Sequence, residues 1–227
     1  ILDFNMGCPA PKVVKNGEGS ALMRDPKRAE EILTAIRRAT KLPFTVKMRF
    51  GWDDSSRNAA EIAKMAEAVG VDAVAVHGRT REQFYSGNAD YAAIAEVKRA
   101  VGIPVIVSGD IRRSADLSRA LAVTEADAVM IGRGAQGNPW IFPQLIHWLR
   151  TGEDLPPPTL AERAQVILRH LDLLIGYKGE YIGIREMRRH AAWYTRGLAG
   201  SAELREQFNR AASREDFAQI LHDAWEI

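Results

Sequence analysis

The residues of this chain that can do chemistry stand where short apolar segments end. Its single cysteine, Cys8, follows the short run Ile1–Phe4 and lies between a glycine and a proline. A lone cysteine is more often a small buried hydrophobe, but this setting favours a displayed thiol. Because a thiol is mostly protonated near neutral pH, such a group can act as a general acid, a role worth roughly 10²–10⁴-fold in rate.

Two cations and a histidine end the next two segments. Lys47 and Arg49 occupy alternate positions, so in a strand they share one face. Buried there, they need either an anionic or electron-rich ligand or a carboxylate on a neighbouring strand, and the segment alone does not decide between these. His77 precedes Gly78 and Arg79, and its imidazole can bond a ligand or a backbone carbonyl. No second histidine or cysteine stands at ligand spacing, so we expect no metal site.

Glycine turns follow the last two apolar segments. Ser108-Gly109-Asp110 ends one of them, and Gly132-Arg133 ends the other. Glycine lets the backbone approach a ligand and exposes its N–H group, and the arginine fork suits phosphate. The alternative is that these glycines only make tight turns. Two such turns in succession favour a phosphate site, because the last loops of many barrels bind phosphate.

The segments that position these residues alternate between strand and helix patterns. The predicted strands cover residues 1–5, 44–49, 73–77, 105–108 and 128–131. Helical spacing of apolar residues fills the gaps between them, and the alternation implies a parallel sheet. A doubly wound sheet and a (β/α)₈ TIM barrel both fit, but chemistry spread over the ends of many strands favours the barrel. Since a barrel has eight strands, three further units are expected ahead of residue 1.

The pattern changes after residue 150, which predicts two domains. The predicted parts are the last five β-α units of a TIM barrel over residues 1–150, a proline-rich linker over 151–158 and a small all-α bundle over 159–227. A second helix of the bundle is expected over residues 182–198. The expected helix caps are Asp25, Gly70 and Gly102 in the barrel part, and Ser201 with the capping boxes Thr159/Glu162 and Ser213/Asp216 in the bundle.

One helix of the predicted bundle is rich in arginine. Lys178, Arg185, Arg188 and Arg189 lie close together, with Trp193 and Tyr194 following. Basic side chains interleaved with aromatics suit phosphate contacts and base stacking in RNA. The alternative is an ordinary solvated helix face with its aromatics in the bundle core.

The composition excludes several classes of protein for this chain. The 227 residues carry a formal net charge of +2, so any nucleic-acid surface must be local. One cysteine excludes an internal disulfide framework and fits a reducing compartment, so a cytoplasmic location is expected. No apolar run is long enough to span a membrane.

Taken together, these motifs resemble the tRNA-dihydrouridine synthases, and most closely their bacterial B type. The match runs from Asn5 to about Trp193. The motifs that carry it are Asn5-Met6-Gly7-Cys8-Pro9, Asn16 to Met23 (NGEGSALM), Lys47-Met48-Arg49, His77-Gly78-Arg79-Thr80, Ser108-Gly109-Asp110-Ile111 and Gly132-Arg133-Gly134.

The resemblance implies an FMN-dependent oxidoreductase built as a TIM barrel with a helical tRNA-binding domain. NADPH reduces the FMN, hydride passes to C6 of a flipped-out uridine of the tRNA D-loop, and Cys8 donates the proton to C5. The implied flavin contacts are Lys47 and His77 at the ring and Ser108, Gly109, Asp110, Gly132 and Arg133 at the phosphate. The implied substrate or tRNA contacts are Asn5, Arg49, Arg79, Lys178, Arg185, Arg188 and Arg189.

The family pattern also begins earlier than this chain does. The first barrel strands, with a Pro-Met-Ala-type FMN segment and a flavin-contacting glutamine, have no counterpart here, so an N-terminally truncated chain is expected, with association through the sheet edge that the missing strands would cover. Two rivals remain open. One is an FMN barrel that reduces a small molecule, as dihydroorotate dehydrogenases do, and the other is a non-catalytic RNA-binding remnant.

Overall fold

The computed structural model describes residues 1–227 and contains one parallel sheet of five strands. Each strand lies within one residue of its predicted bounds. The strands are β1 (Leu2–Met6), β2 (Phe44–Arg49), β3 (Ala73–His77), β4 (Val105–Ser108) and β5 (Ala128–Met130). Their order in the sheet is β1-β2-β3-β4-β5, and every neighbouring pair is parallel.

This strand order separates the two architectures that the sequence allowed. A doubly wound sheet reverses its order at a switch point, where its ligands bind. Here each new strand is added on the same side as the last, as in a (β/α)₈ barrel. The prediction of five barrel-type units is therefore confirmed. The outer strands β1 and β5 each have one partner, and association through this edge stays a prediction.

Helices follow the strands, and capping residues determine where several of them begin and end. These are α1 (Pro11–Val14), α2 (Pro26–Ala39), α3 (Ala59–Val69), α4 (Tyr91–Ala100) and α5 (Ser114–Thr124). The Asp25 carboxylate accepts the N–H of Arg28 at 3.0 Å, which satisfies one free amide of α2. Gly70 ends α3 at φ 96°, where a side chain would be strained. The prediction for Gly102 was wrong, because α4 ends at Ala100 with Val101 as its cap.

The two faces of the sheet differ in polarity because side chains alternate along each strand. One face is apolar, and its side chains are fully buried. They are Phe44, Val46, Met48, Val74, Val76, Val105 and Val107. The other face carries polar groups at the same positions along neighbouring strands, and the Thr45 hydroxyl donates to the Asp3 carboxylate there at 2.7 Å. The apolar face packs in the core, so functional side chains can stand only on the polar face.

The contacts divide the chain into two compact units, residues 1–133 and 134–227. The second unit is entirely helical. It contains α6 (Ile141–Thr151), α7 (Leu160–Lys178), α8 (Glu180–Tyr194), α9 (Ser201–Arg210) and α10 (Arg214–Trp225). The division falls before α6, the helix that follows β5, whereas the sequence placed the domain boundary at residue 150. The assignment of domains stays a prediction.

Both capping boxes of the second unit form as predicted. Thr159 with Glu162 opens α7, and Ser213 with Asp216 opens α10. The predicted cap at Ser201 was wrong: Gly200 occupies the cap position in the left-handed region, and Ser201 is already the first residue of α9. The core of this unit includes Phe208 stacked on Phe217, with ring centroids 5.2 Å apart. None of the helices has the length and apolar character needed to cross a membrane.

Helices α7 and α8 pack closely at Gly183. A Cβ on Gly183 would lie 2.8 Å from the Ile175 nitrogen and 2.9 Å from the Leu174 carbonyl carbon, whereas a Cβ on Gly176 would meet nothing within 4 Å. We expect Gly183→Ala to lower the free energy of unfolding by about 1–3 kcal/mol through overpacking. Gly176→Ala should raise it by up to about 1 kcal/mol through helix propensity. Urea titrations followed by tryptophan fluorescence measure both, and equal stability of the two variants would contradict this packing.

Candidate functional site

The register of the parallel sheet brings the predicted polar residues together. Asn5 lies opposite Lys47, Arg49 lies opposite His77, and His77 lies opposite Ser108. Residues paired in this way point to the same face. All five occupy the half of the sheet nearest the carboxyl ends of the strands, the end at which barrel enzymes assemble their sites.

Cys8 lies just past β1 and is half-buried. It lines a cavity of about 540 Å³ that Asn5 also lines. Its backbone is held from the other side, because the Ser20 N–H and hydroxyl both donate to the Cys8 carbonyl oxygen, at 3.0 and 2.9 Å. Gly19 sits beside it at φ 57°, and a Cβ there would lie 2.8 Å from the same oxygen. The segment Gly19-Ser20 therefore fixes where the thiol stands.

Arg49 is buried, with 3% of its surface exposed, and it ties two loops together. Its Nε donates to the Gly7 carbonyl at 3.0 Å, and its Nη1 donates to the carbonyls of Thr80 and Phe84 at 2.7 and 2.8 Å. No carboxylate pairs with it or with Lys47, so the expected alternative of an ion pair to a neighbouring strand is wrong. Arg49 positions the loops after β1 and β3.

Lys47 and His77 are ionisable residues in a confined, positively charged part of the site. Burial, then the neighbouring Arg49, lowers the pKa of Lys47. Burial, followed by the charges of Arg49 and Lys47, lowers the pKa of His77 from 6.5 to about 3. His77 is thus neutral near pH 7, and its Nδ1 is buried without a hydrogen-bond partner. An electron-rich or anionic ligand would relieve both effects.

Asp110 organises the loops after β3 and β4. Its Oδ2 accepts Arg79 Nη2 at 2.6 Å and the Ala89 N–H at 2.8 Å, and its Oδ1 accepts Arg133 Nη2 at 3.0 Å. Burial acts to raise the pKa of Asp110, but the Arg79 bond, the Ala89 amide and Arg133 outweigh it, so the pKa lies below its usual value. Arg79 is 1% exposed and also donates to the carbonyls of Ser86 and Gly87. We therefore assign Arg79 to positioning these loops.

The two predicted glycine turns differ in how closely they are packed. Gly109 has φ 129°, and a Cβ there would lie 2.8 Å from the Ala89 side chain, so only glycine fits. A Cβ on Gly132 would meet nothing within 4 Å. Neither N–H group donates to a carbonyl in a turn, loop or cap. The turns thus offer two free amides near the ends of β4 and β5, which suits an anion.

The arginine-rich helix α8 divides its predicted residues between two roles. Arg185 is exposed and lies over the Tyr181 ring at 5.2 Å, and Arg189 lies over the Trp193 ring at the same distance. Arg188 instead donates twice to the Ala211 carbonyl, at 3.1 and 2.7 Å, so it joins α8 to the segment after α9. Lys178 pairs with Glu186 at 2.7 Å. Of the four predicted basic residues, only Arg185 and Arg189 therefore remain as an exposed basic surface on α8.

Four residues beside the site were absent from the prediction. Arg112, Arg113 and Arg119 line a second cavity, together with Tyr85. The consecutive arginines directly after Ser108-Gly109-Asp110-Ile111 were the available signal. Tyr85 gave none, because its importance comes from contacts with Arg49 and Arg133, which lie far away in the chain.

Fold and site together define the class: a barrel-type β-α protein with cations and glycine turns collected at the carboxyl ends of its strands. The chain belongs to the dihydrouridine synthase family, whose model, "Dihydrouridine synthase (Dus)", matches residues 1–226. This confirms the resemblance on which the sequence expectations were based.

Relatives of this chain carry names that agree with the family. It is 50% identical over 209 residues to "Probable tRNA-dihydrouridine synthase" of Rickettsia bellii, with 92% of this chain and 64% of that protein covered. It is 49% identical over 210 residues to "tRNA-dihydrouridine synthase B" of Pseudomonas aeruginosa, covering 92% and 63%. The protein of that name from Xanthomonas axonopodis pv. citri is 47% identical over 223 residues, covering 98% and 67%. The chain thus spans about two thirds of the length of these relatives.

Among solved structures, a nitroalkane oxidase from Streptomyces ansochromogenes matches 59% of this chain and 50% of its own, at 21% identity and a TM-score of 0.31. Likeness at that level supports no conclusion about either fold or activity.

The buried histidine makes stability depend on pH. Unfolded His77 takes up a proton below about pH 6.5, but folded His77 does so only near pH 3. Between these values the folded state binds fewer protons, so its stability falls as the pH falls, by at most about 1.4 kcal/mol per pH unit. We expect the free energy of unfolding to fall more steeply from pH 6.5 to 4.5 in the wild type than in His77→Gln.

Urea titrations across the pH range measure both slopes. The control is the range from pH 7.5 to 8.5, in which His77 is neutral in both states and the two proteins should show the same slope. Parallel curves from pH 6.5 to 4.5 would show that His77 is protonated normally in the folded state.

Proposed function

We propose that this chain is the main part of an enzyme that reduces a uridine of tRNA to 5,6-dihydrouridine, with FMN as cofactor and NADPH as reductant. The observation that carries the proposal is the row Lys47, Arg49, His77 and Ser108 on one face of the sheet, with the half-buried Cys8 just past the end of β1. Membership of the dihydrouridine synthase family supports the reaction. A reducing, cytoplasmic compartment belongs to the same proposal.

The residues present fit a flavin phosphate cofactor. Lys47 is half-buried without a carboxylate partner, and His77 Nδ1 is buried without any partner. Both would contact the electron-rich edge of the ring. The free amides of Gly109 and Gly132 would hold the phosphate, with Ser108, Asp110 and Arg133 in the same turns. The neutral state of His77 matters here, because it adds no further positive charge beside Lys47.

In the proposed reaction the cofactor would supply the hydride and the protein would supply the proton. Bound FMN, once reduced, would supply the hydride that reaches C6 of uridine. The Cys8 Sγ–H bond would then break, and its proton would pass to C5, which leaves a thiolate to be reprotonated by solvent. Ser20 and Gly19 keep the Cys8 backbone in place during this step. Asn5, which lines the same cavity, would orient the base.

The RNA is the remaining part of the proposal. Chemistry on C5 and C6 of a stacked base requires the uridine to leave its stack, which fits a site open at the carboxyl ends of the strands. We assign the uridine to the D-loop, by likeness to the synthases of the B type. The exposed stripe Tyr181, Arg185, Arg189 and Trp193 on α8 would contact the RNA backbone and bases.

The first test concerns Cys8. We expect Cys8→Ala to lower the rate of dihydrouridine formation by about 10²–10⁴-fold, because the general acid is lost, while NADPH still bleaches the flavin at the wild-type rate. Mass spectrometry of tRNA nucleosides and flavin absorbance give the two readouts. Lys12→Ala, an exposed position in helix α1 four residues after Cys8, is the control and should behave as wild type. A normal yield of dihydrouridine from Cys8→Ala would remove Cys8 from the mechanism.

The second test concerns the stripe on α8. We expect Arg185→Ala with Arg189→Ala to weaken tRNA binding about tenfold and to reduce its dependence on salt, because phosphate contacts release counterions. The matched control is Arg169→Ala with Arg205→Ala, two exposed arginines of the same unit that lie outside the stripe. Fluorescence anisotropy with labelled tRNA at several salt concentrations measures both. If the control pair weakened binding equally, the stripe would have no special role.

A further inference from the structure

A second cavity opens among the loops that follow β3, β4 and β5. Its volume is about 450 Å³. Its lining excludes Cys8, Lys47, His77, Gly109 and Gly132 but shares Asp110 and Arg133 with the proposed phosphate turns, so the cavity adjoins the proposed flavin site. Five arginines line it: Arg79, Arg112, Arg113, Arg119 and Arg133.

The charges of this arginine cavity are not balanced. Only two aspartates, Asp110 and Asp116, face the five arginines. Asp110 is already bonded to Arg79 and Arg133. Asp116 accepts the Arg112 N–H at 3.1 Å, and its carboxylate lies 3.9 Å from the guanidinium groups of Arg113 and Arg119. These long ion pairs contribute little, so the guanidinium groups of Arg112 and Arg113 remain available to a ligand, whereas that of Arg119 also lies 5.6 Å from the centroid of the Tyr91 ring.

Arg79, which lines the cavity, has one buried donor without a partner. Arg79 Nη1 forms no hydrogen bond, although the Arg79 side chain is only 2% exposed and its Nε and Nη2 are fully engaged. An orphaned donor on a buried cation is costly. A ligand oxygen entering the arginine cavity would satisfy it.

The start of α5 adds to the positive field. The helix begins at Ser114, and Arg113 occupies the cap position without a side chain to cap the free amides. The N-terminal end of a helix favours negative charge. Asp116 in the first turn offsets part of this effect, but its carboxylate is directed to the Arg112 N–H.

An aromatic ring forms one wall of the cavity. Tyr85 is 49% exposed, and the guanidinium groups of Arg133 and Arg49 lie 4.7 and 5.7 Å from its ring centroid. Its exposed surface offers a stacking site next to five cations. An anionic group attached to a planar one, as in a nucleotide, matches this pairing better than a simple carboxylate does.

We propose that the arginine cavity binds a phosphodiester group of the RNA substrate, with the attached nucleoside against Tyr85. The phosphate would accept from Arg79 Nη1 and from the forks of Arg112 and Arg113. The inference rests on the proposed function, because it assigns a second contact to the same RNA. The other sources of a phosphate ester are the pyridine nucleotide and the FMN, and the experiment separates both from the RNA.

The test replaces the two arginines that have no close partner. We expect Arg112→Ala with Arg113→Ala to raise the tRNA dissociation constant about tenfold and to lower the salt slope by about 1 for each phosphate that is no longer neutralised. The Michaelis constant for NADPH in flavin reduction should not change. Arg112→Lys with Arg113→Lys should keep most of the salt slope. The matched control is Arg38→Ala with Arg99→Ala, exposed arginines on α2 and α4 that lie outside the cavity, and it should bind tRNA as wild type does.

The outcomes are distinct. Unchanged tRNA affinity and salt slope in the alanine pair would overturn the inference. A raised Michaelis constant for NADPH, or a loss of bound flavin, with unchanged tRNA binding would also overturn it and would assign the cavity to the pyridine nucleotide or to the FMN. Dihydrouridine formation by the wild type tests the proposed function separately. If the wild type reduced no uridine, the proposed function would fail whatever the alanine pair did.

Discussion

The site depends on two buried guanidinium groups that must find acceptors. A buried cation is tolerated only when its donors are bonded, and breaking a buried pair costs roughly 3–5 kcal/mol. Arg49 meets this need with carbonyls from the loops after β1 and β3, and Arg79 meets it with Asp110 and the carbonyls of Ser86 and Gly87. The same bonds that satisfy the arginines hold three loops in fixed positions. Most donors of both arginines are therefore used to hold loops, although Arg79 keeps one nitrogen, Nη1, without a partner.

The parallel register supplies the second level of organisation. Because paired residues of neighbouring strands point to the same face, Arg49, His77 and Ser108 stand in one row across three strands. The environment of this row lowers the pKa of His77, first through desolvation by burial and then through the charges of the cations on β2, and this keeps His77 neutral. A neutral imidazole can donate or accept a hydrogen bond beside a ligand without adding charge. The low pKa of His77 is therefore a product of its position in the sheet.

Features set by neighbouring residues in the chain could be predicted from the sequence. The strands were predicted to within one residue, because short apolar runs rich in valine and isoleucine are bounded by turn residues. The caps at Asp25 and Gly70 and the two capping boxes were also predicted correctly. Ser201 failed as a cap, because the left-handed conformation of Gly200 already ends the turn. The roles of Arg49 and Arg188 could not be predicted, since their acceptors are carbonyls more than twenty residues away.

These contacts suggest a rule for separating arginines that hold a protein together from those that bind a ligand. Arg49, Arg79 and Arg188 donate to backbone carbonyls or to Asp110, so most of their N–H groups have acceptors within the protein. The guanidinium groups of Arg113 and Arg119 lie 3.9 Å from the Asp116 carboxylate, and Arg119 also lies over the Tyr91 ring. The Arg112 side chain pairs with no carboxylate. Arg79 belongs to both groups, because two of its nitrogens hold the loops and its third, Nη1, is unpaired. A ligand that bonded this nitrogen would be bound by the network that positions the loops beside the site, so binding in the arginine cavity and order at the site would be physically linked.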